Sequence, residues 1–272
     1  MPTAATTLML NDGRAMPLLG FGTWQIPADA AEGAVATALE LGYPLVDTAA
    51  IYGNEKGVGA ALAARGDVWL TTKIWNDSQG YDRTLRAMDK SLARLGRDQV
   101  DLVLIHWPCP DRGLYLETWR ALVALRDAGK AGSIGVSNFR SDDLRAVSDA
   151  TGVVPAVNQI ELHPRFQQRD LRSIHAELGI VTQSWSPLGQ GALLSDPAIA
   201  EIARQAGTTP AAVLLRWHLQ HGLATIPKAS SRSHMAANLA ALDVMLSDEQ
   251  MKRIDALDSP DGRIGPDPAQ FG

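Results

Sequence analysis

The sequence predicts an α/β fold, a (β/α)8 TIM barrel with an N-terminal β-hairpin and an extended C-terminal tail. Short apolar runs alternate with amphipathic helical stretches along the chain. Eight such runs fit within 272 residues, a length that suits one barrel domain over residues 1–272. Polar residues gather where the runs end, the face on which such barrels do chemistry. A doubly wound parallel sheet is the alternative, and it loses on strand count and on where those polar residues fall.

Taken in order, the chain opens with a hairpin: Leu8–Leu10, the turn Asn11-Asp12-Gly13-Arg14, then Met16–Leu18. Strands are expected at Leu19–Phe21, Leu45–Asp47, Val68–Thr72, Val100–Ile105, Ser133–Val136, Ala156–Ile160, Val181–Ser184 and Ala224–Pro227. Helical periodicity fills Ala28–Leu41, Tyr81–Leu95, Tyr115–Ala128, Ser141–Ala150, Arg169–Leu178 and Pro210–Gln220. Ser141, Asp196 and Thr209 are placed to cap helix starts, and Gly42, Gly96, Gly129 and Gly179 to stop helices. The Pro/Gly-rich stretch Ser259–Pro268 reads as an extended, mobile segment over the barrel mouth.

Composition narrows the function. Hydrophobic residues make up 46% and charged ones 20%, ample for a core, and the net charge of −5 favours neither nucleic acid nor an anionic membrane as partner. No apolar run approaches the roughly 18 residues of a membrane span. The first residues lack a signal-peptide pattern. A single cysteine, Cys109, excludes an intramolecular disulfide, and no Cys/His cluster has zinc spacing. The expectation is a soluble, cytoplasmic, metal-free monomer acting on a small molecule.

The chemistry concentrates in Asp47-Thr-Ala-Ala-Ile-Tyr52-Gly-Asn-Glu55, which sets a carboxylate and a phenol five residues apart after a short apolar run. Lys73 and His106 follow the next two runs, so three successive strands deliver Asp47, Tyr52, Lys73 and His106 to one pocket. A phenol has an ordinary pKa of about 10. A neighbouring ammonium at Lys73 is expected to lower it, Asp47 to keep Lys73 charged, and His106 to hydrogen-bond the oxygen that Tyr52 protonates. Each residue alone has a structural explanation, such as a helix cap for Asp47; their joint placement favours a proton-donating site.

The same residues make the chain recognisable. Gly20–Trp24, Asp47–Glu55, Lys73–Asn76, Leu104–Pro108, Ile134–Asn138, Gln159–Pro164, Ser184–Gly191 and Ile226–Lys228 resemble, in order and over nearly the whole chain, the aldo-keto reductases. The resemblance is closest to the bacterial branch with the 2,5-diketo-D-gluconate reductases. It implies a metal-free barrel that reduces aldehydes and ketones with a nicotinamide cofactor, NADPH. Tyr52 would be the proton donor, Lys73 and Asp47 its tuning pair, and His106 the carbonyl-orienting group.

Cofactor positions carry over similarly. Ser137, Asn138 and Gln159 match residues that bind the nicotinamide carboxamide, and Trp185 stands where an aromatic stacks on the ring. Ser186, Leu188, Gln190 and Gly191 resemble the pyrophosphate strap. Lys228, Ser230, Ser231, His234 and Asn238 match the segment around the 2′-phosphate and adenine. Trp24, Ile51, Trp75, His106 and Trp107 would surround the substrate carbonyl. Three positions depart from the family: His234 replaces the usual Arg, Ala229 a frequent Ser, and Ala237 a common Glu. A mostly neutral His cannot grip a phosphate as Arg does. NADPH is therefore expected to be preferred with NADH usable, Lys228 remaining and Arg232 a candidate substitute. A shortened link, Ala64–Asp67, should lie on the face opposite the site.

Rival readings are weaker. Tyr52-Gly-Asn-Glu-Lys56 satisfies the Tyr-x-x-x-Lys of short-chain dehydrogenases, but no glycine-rich strand-to-helix turn accompanies it. A cofactor-sensing or structural protein on the same barrel would not need all four of Asp47, Tyr52, Lys73 and His106. Glu161 and His163 are expected to make rim hydrogen bonds away from the pocket, and Cys109 to be passive.

Overall fold

The computed structural model describes residues 6–272. Strands β1 (Thr7–Met9) and β2 (Ala15–Pro17) form the expected hairpin, with Leu8 opposite Met16. Eight parallel strands follow, each beside its predecessor: β3 (Phe21–Gly22), β4 (Leu45–Asp47), β5 (Trp69–Ile74), β6 (Val100–Ile105), β7 (Ala131–Ser137), β8 (Val157–Glu161), β9 (Val181–Trp185) and β10 (Ala224–Thr225). A bridge from Leu19 to Thr225 and the bond from Gly22 N–H to the Pro227 carbonyl (3.1 Å) bring the first and last strands together. The fold is thus the (β/α)8 barrel.

The closing strands are shorter than the sequence suggests. Pro227 has no N–H to extend β10, and the ladder stops there. Gly22 must come so close to the 226–228 segment that a Cβ would lie 2.7 Å from the Ile226 carbonyl oxygen. The third predicted run starts and ends later than expected, so Lys73 sits inside β5 rather than beyond its end.

The helices are α1 (Ala31–Glu40), α2 (Glu55–Leu62), α3 (Tyr81–Leu95), α4 (Tyr115–Asp127), α5 (Ser141–Thr151), α6 (Arg169–Leu178), α7 (Pro197–Gln205), α8 (Pro210–Gln220), α9 (Arg232–Leu239) and α10 (Asp248–Asp255). Asp196 caps α7 through Ala198 N–H (2.9 Å), and Thr209 caps α8 through Ala212 N–H (3.1 Å). Ser141 is not a cap: it is the first residue of α5, whose preceding N–H, at Arg140, donates to the Asp143 carboxylate (3.1 Å). One extended core lies between strands and helices, including Phe21, Val46, Leu70, Val103, Trp119 and Leu215. A separate cluster fills the barrel's lower end, where Leu10 and Met16 of the hairpin meet Leu45, Trp69, Leu102 and Leu104. The hairpin plugs the bottom, leaving the opposite face for a site.

The C-terminal tail crosses that open face, but it is held rather than free. Ser259 N–H donates to the Arg165 carbonyl (3.1 Å), and the Asp258 carboxylate accepts from Gln167 N–H (3.0 Å) and the Arg169 guanidinium (3.1 Å). Ile264 and Gly265 N–H both donate to Glu161. Phe271 packs on Trp107 with ring centroids 4.5 Å apart. The composition showed a helix-breaking stretch; these partners lie far away in sequence.

Candidate active site

The inward face of β5 carries Lys73, and β4 ends at Asp47, so neighbouring strands set ammonium beside carboxylate. Lys73 Nζ donates to Asp47 Oδ1 at 2.5 Å and to the Thr48 carbonyl at 3.0 Å, and lies 3.4 Å from Tyr52 Oη. A single helical turn at Ala50–Tyr52, closed by left-handed Gly53, swings Tyr52 back over the strand ends. Across the barrel, Gln159 of β8 donates to Asp47 Oδ2 (2.8 Å) and to Gln183 Oε1 (2.8 Å). His106 follows β6, and its ring meets those of Tyr52 (centroids 5.7 Å) and Trp75 (5.0 Å) edge-on.

Lys73 and Asp47 are fully enclosed, so the pair is strongly coupled. Burial would lower the Lys73 pKa, yet Asp47 and Tyr52 hold it above its ordinary value. Burial pushes the Asp47 carboxyl up while Lys73 and Gln159 pull it back. With Lys73 donating to Oδ1 and Gln159 to Oδ2, both oxygens serve as acceptors, which favours the ionised carboxylate. The expected lowering of the Tyr52 pKa is not the net result. Burial raises it, and the opposing pull of Lys73 offsets only part of that rise, so the phenol keeps its proton at neutral pH. Burial, helped by Lys73, holds His106 well below its usual value, hence neutral. His106 Nδ1 is enclosed without a partner. An unpaired interior N–H is costly, so the ring proton is assigned to Nε2, the nitrogen open to the cavity.

These groups form the floor of a cavity of about 1030 Å³ that runs from the barrel mouth to α9. Asp47, Tyr52, His106, Ser137, Asn138, Gln159, Trp185, Ser186, Leu188, Gln190, Gly191, Lys228, Ser230, His234 and Asn238 line it, as do Trp24, Ile51, Trp75 and Trp107. Lys73 lies behind Tyr52 and Asp47. Ser231 does not line the cavity: its hydroxyl caps α9 by accepting His234 N–H (3.2 Å). Arg232 is turned away as well, paired with Glu40 of α1 at 2.7 Å, so it does not stand in for the missing Arg.

At the cavity's centre the Trp185 indole is fixed by its Nε1–H donating to Asn138 Oδ1 (2.8 Å), while Asn138 Nδ2 donates to the His106 carbonyl (3.0 Å). Ser137 donates to the Gln159 carbonyl (2.7 Å). With both amide hydrogens of Gln159 committed, its Oε1 is left as a free acceptor facing the cavity. Four of the non-glycine residues with positive φ line this cavity: Gln25 (60°), Asn138 (63°), Ser186 (50°) and Gln190 (51°). Such backbone is unfavourable for most L residues and tends to collect at functional sites.

Sequence reasoning missed several contributors. Asn54, 1% exposed, accepts from Thr48 Oγ1 (3.0 Å) and donates to the Thr23 (2.9 Å) and Ile26 (3.1 Å) carbonyls, tying the loops after β3 and β4 together under Tyr52. Glu55 accepts from Thr72 Oγ1 (2.6 Å), beside Lys73, and from Arg94 (2.7 Å). Both stand in the Tyr-Gly-Asn-Glu run, and uncharged Asn54 right after a turn glycine was the available signal. Gln25, Leu194, and Thr209 to Ala211 at the start of α8 also line the cavity. Phe271 packs behind two of the lining residues, Trp75 (6.5 Å) and Trp107. Nothing local in sequence marks those positions.

The arrangement can hold a carbonyl oxygen between a phenol and an imidazole N–H, above a buried cation and beside a flat indole. Known proteins resemble the chain over nearly its whole length. The sequence profile of the Aldo/keto reductase family matches residues 18–259. An aldo-keto reductase of Mycolicibacterium smegmatis is 50% identical over 268 residues, 97% of each chain. Methylglyoxal reductase DkgA of Yersinia pestis is 45% identical over 276 residues, 99% of each chain. Among solved structures, a point mutant of Gox0644 in complex with NADPH superposes with a TM-score of 0.97 at 50% identity, covering 99% of both chains. Motif order, barrel and whole-length similarity agree, and the chain belongs to the aldo/keto reductase family of oxidoreductases.

Proposed function

We propose that this chain is an NADPH-dependent reductase of aldehydes and ketones, with α-dicarbonyls, keto sugars and aromatic aldehydes as substrates, working as a single-domain monomer in the cytoplasm. The observation that carries the reading is the joining of two features in one cavity. Asp47, Tyr52 and His106, backed by Lys73, form its floor, and Trp185 with the free Gln159 Oε1 stands beside it. When bound, the nicotinamide cofactor supplies a hydride to the carbonyl carbon. The chain's residues fit that group: Trp185 offers a stacking face, and Gln159 Oε1 an acceptor for the N–H of a carboxamide. Leu188, Gln190 and Gly191 would strap the phosphates, and Lys228, Ser230, His234 and Asn238 would face the adenosine end.

His106, neutral, donates Nε2–H to the substrate oxygen and orients it. Tyr52, protonated, gives its Oη proton to that oxygen as negative charge develops. Lys73, charged beneath it, stabilises the phenolate left behind, and Asp47 keeps Lys73 charged and in place. Trp24, Ile51, Trp75 and Trp107 form an apolar wall that binds carbonyl compounds largely by exclusion of water. NADPH is preferred and NADH usable, since Lys228 is present while the position of the usual Arg holds His234 and Arg232 is engaged elsewhere. The resemblance of a relative named as a methylglyoxal reductase supports α-dicarbonyls as one class.

The test is oxidation of NADPH and of NADH in the presence of methylglyoxal, a benzaldehyde and 2,5-diketo-D-gluconate. Turnover with NADPH and at least one carbonyl is expected. Tight NADPH binding without turnover on any of them would favour a cofactor-sensing protein instead.

A further inference from the structure

Glu161 is the last residue of β8, 1% exposed, and two positions beyond Gln159 on the same inward face. Its carboxylate has no part in the proton-donating cluster. It accepts the backbone N–H of Ile264 at 2.6 Å and of Gly265 at 2.8 Å, and His163 Nε2 lies 3.2 Å from Oε1. A buried carboxylate with two converging main-chain donors is a charge-assisted clamp on the tail. The clamp sits where the tail passes the indole: a Cβ on Gly265 would collide with the Trp185 ring and fall 2.9 Å from Glu161 Oε2. Beyond it, Pro266 lines the cavity and Phe271 lands on Trp107, with Gly272 against the enclosed Cys109.

We propose that Glu161 is a positioning residue for substrate specificity, its carboxylate latching the tail so that Phe271 backs the aromatic wall of Trp75 and Trp107. This rests on the reductase reading for its substrates but not for its geometry. With the latch intact, a flat aromatic aldehyde packs on Trp75 and Trp107, whose rings Phe271 holds from behind. A small α-dicarbonyl reaches Tyr52 and His106 without needing that wall. Replacing the carboxylate by an amide keeps the volume but turns an N–H toward a backbone N–H. The tail then loses its fixed crossing point, while Gln159, Asn138 and Trp185 keep their own partners.

The test compares the full-length wild type with Glu161→Gln, Phe271→Ala, the double variant and Glu161→Asp, using benzaldehyde and methylglyoxal as substrates. Glu161→Gln should raise the KM for benzaldehyde about tenfold, the size expected from losing charge-assisted hydrogen bonds. Its KM for methylglyoxal and its Kd for NADPH should move less than about threefold, and the double variant should be no worse than Phe271→Ala alone. Equal losses on both aldehydes, multiplicative losses in the double variant, or no change in a folded Glu161→Gln would overturn the proposal. Should Glu161→Gln fail to fold, Glu161→Asp, which withdraws the carboxylate from the same two N–H groups, must reproduce the selective KM change or the proposal fails. Amide hydrogen exchange at Ile264 and Gly265 judges the latch without turnover: about tenfold faster exchange in Glu161→Gln supports it, and unchanged exchange overturns it. A wild type that reduces neither aldehyde yet shows this exchange difference would sink the reductase reading and leave the latch standing.

Discussion

Replacing Lys73 by methionine would remove the cation at the centre of the site and leave the Asp47 carboxylate buried without its partner. The two groups are 2.5 Å apart and 0% and 1% exposed at their side chains, so neither can turn to solvent. Breaking such a pair from one side costs about 3–5 kcal/mol, because a charge is stranded in the interior. Asp47→Asn should cost a similar amount by stranding Lys73. Removing both charges together should return stability to within about 1–2 kcal/mol of wild type, a coupling energy well above the usual additivity error. Activity should not recover: without Lys73, nothing offsets the burial that raises the Tyr52 pKa, and the phenolate formed on proton transfer is unsupported. Urea unfolding at neutral pH and kcat/KM for one aldehyde, measured on all four proteins, would check this. Additive stability losses, or turnover restored in the double variant, would show that Lys73 and Asp47 are not coupled in this way.

Three further outcomes follow from other parts of the structure. Burial depresses the pKa of His175 to about 4 and of His218 to about 3. An unfolded histidine takes up its proton near pH 6.5 while these stay neutral, so their stability contribution is complete above that pH and is lost as pH falls toward 4 and 3. Each should steepen the fall by about 1.4 kcal/mol per pH unit below about pH 6. Melting temperature against pH would show this, with a smaller slope in His218→Gln; a flat profile down to about pH 4.5 would contradict it. Asn54→Ala should lower stability by about 2–4 kcal/mol and reduce kcat more than it raises KM, since the loops beneath Tyr52 lose their tie; unchanged kcat would show that Asn54 does not position Tyr52. His234→Arg should raise the NADPH-over-NADH preference about tenfold by adding a charge-assisted contact, read from the ratio of kcat/KM values; an unchanged ratio would mean the side chain does not reach the phosphate.

Much of this molecule was legible in its sequence, for identifiable reasons. Barrel strands are buried on both faces and read as short apolar runs, so Val100–Ile105 was recovered with the same ends and Leu45–Asp47 likewise. Asp47, Tyr52 and His106 stood out because each is polar at or just beyond such a run. Lys73 was found too, although it lies inside β5: alternation of inward and outward side chains points it to the barrel axis, where only a carboxylate partner makes its burial tolerable. What escaped was set by distant contacts. The net direction of the Tyr52 pKa depends on how completely it is enclosed, which spacing does not reveal. The pairing of Arg232 with Glu40, 192 positions away, removed a cation that looked available for a phosphate. The tail's anchors at Arg165, Gln167 and Glu161 are likewise invisible in a Pro/Gly-rich stretch read alone.

Tyr52→Phe isolates the transfer of a proton from Tyr52 to a carbonyl oxygen, since it removes the hydroxyl and keeps the ring against His106. NADPH affinity by calorimetry should change less than about threefold, while single-turnover reduction of a carbonyl compound should slow by about 10²–10⁴, the usual worth of general acid catalysis. A phenylalanine variant that binds NADPH normally and keeps most of its rate would show that Tyr52 is not the proton donor.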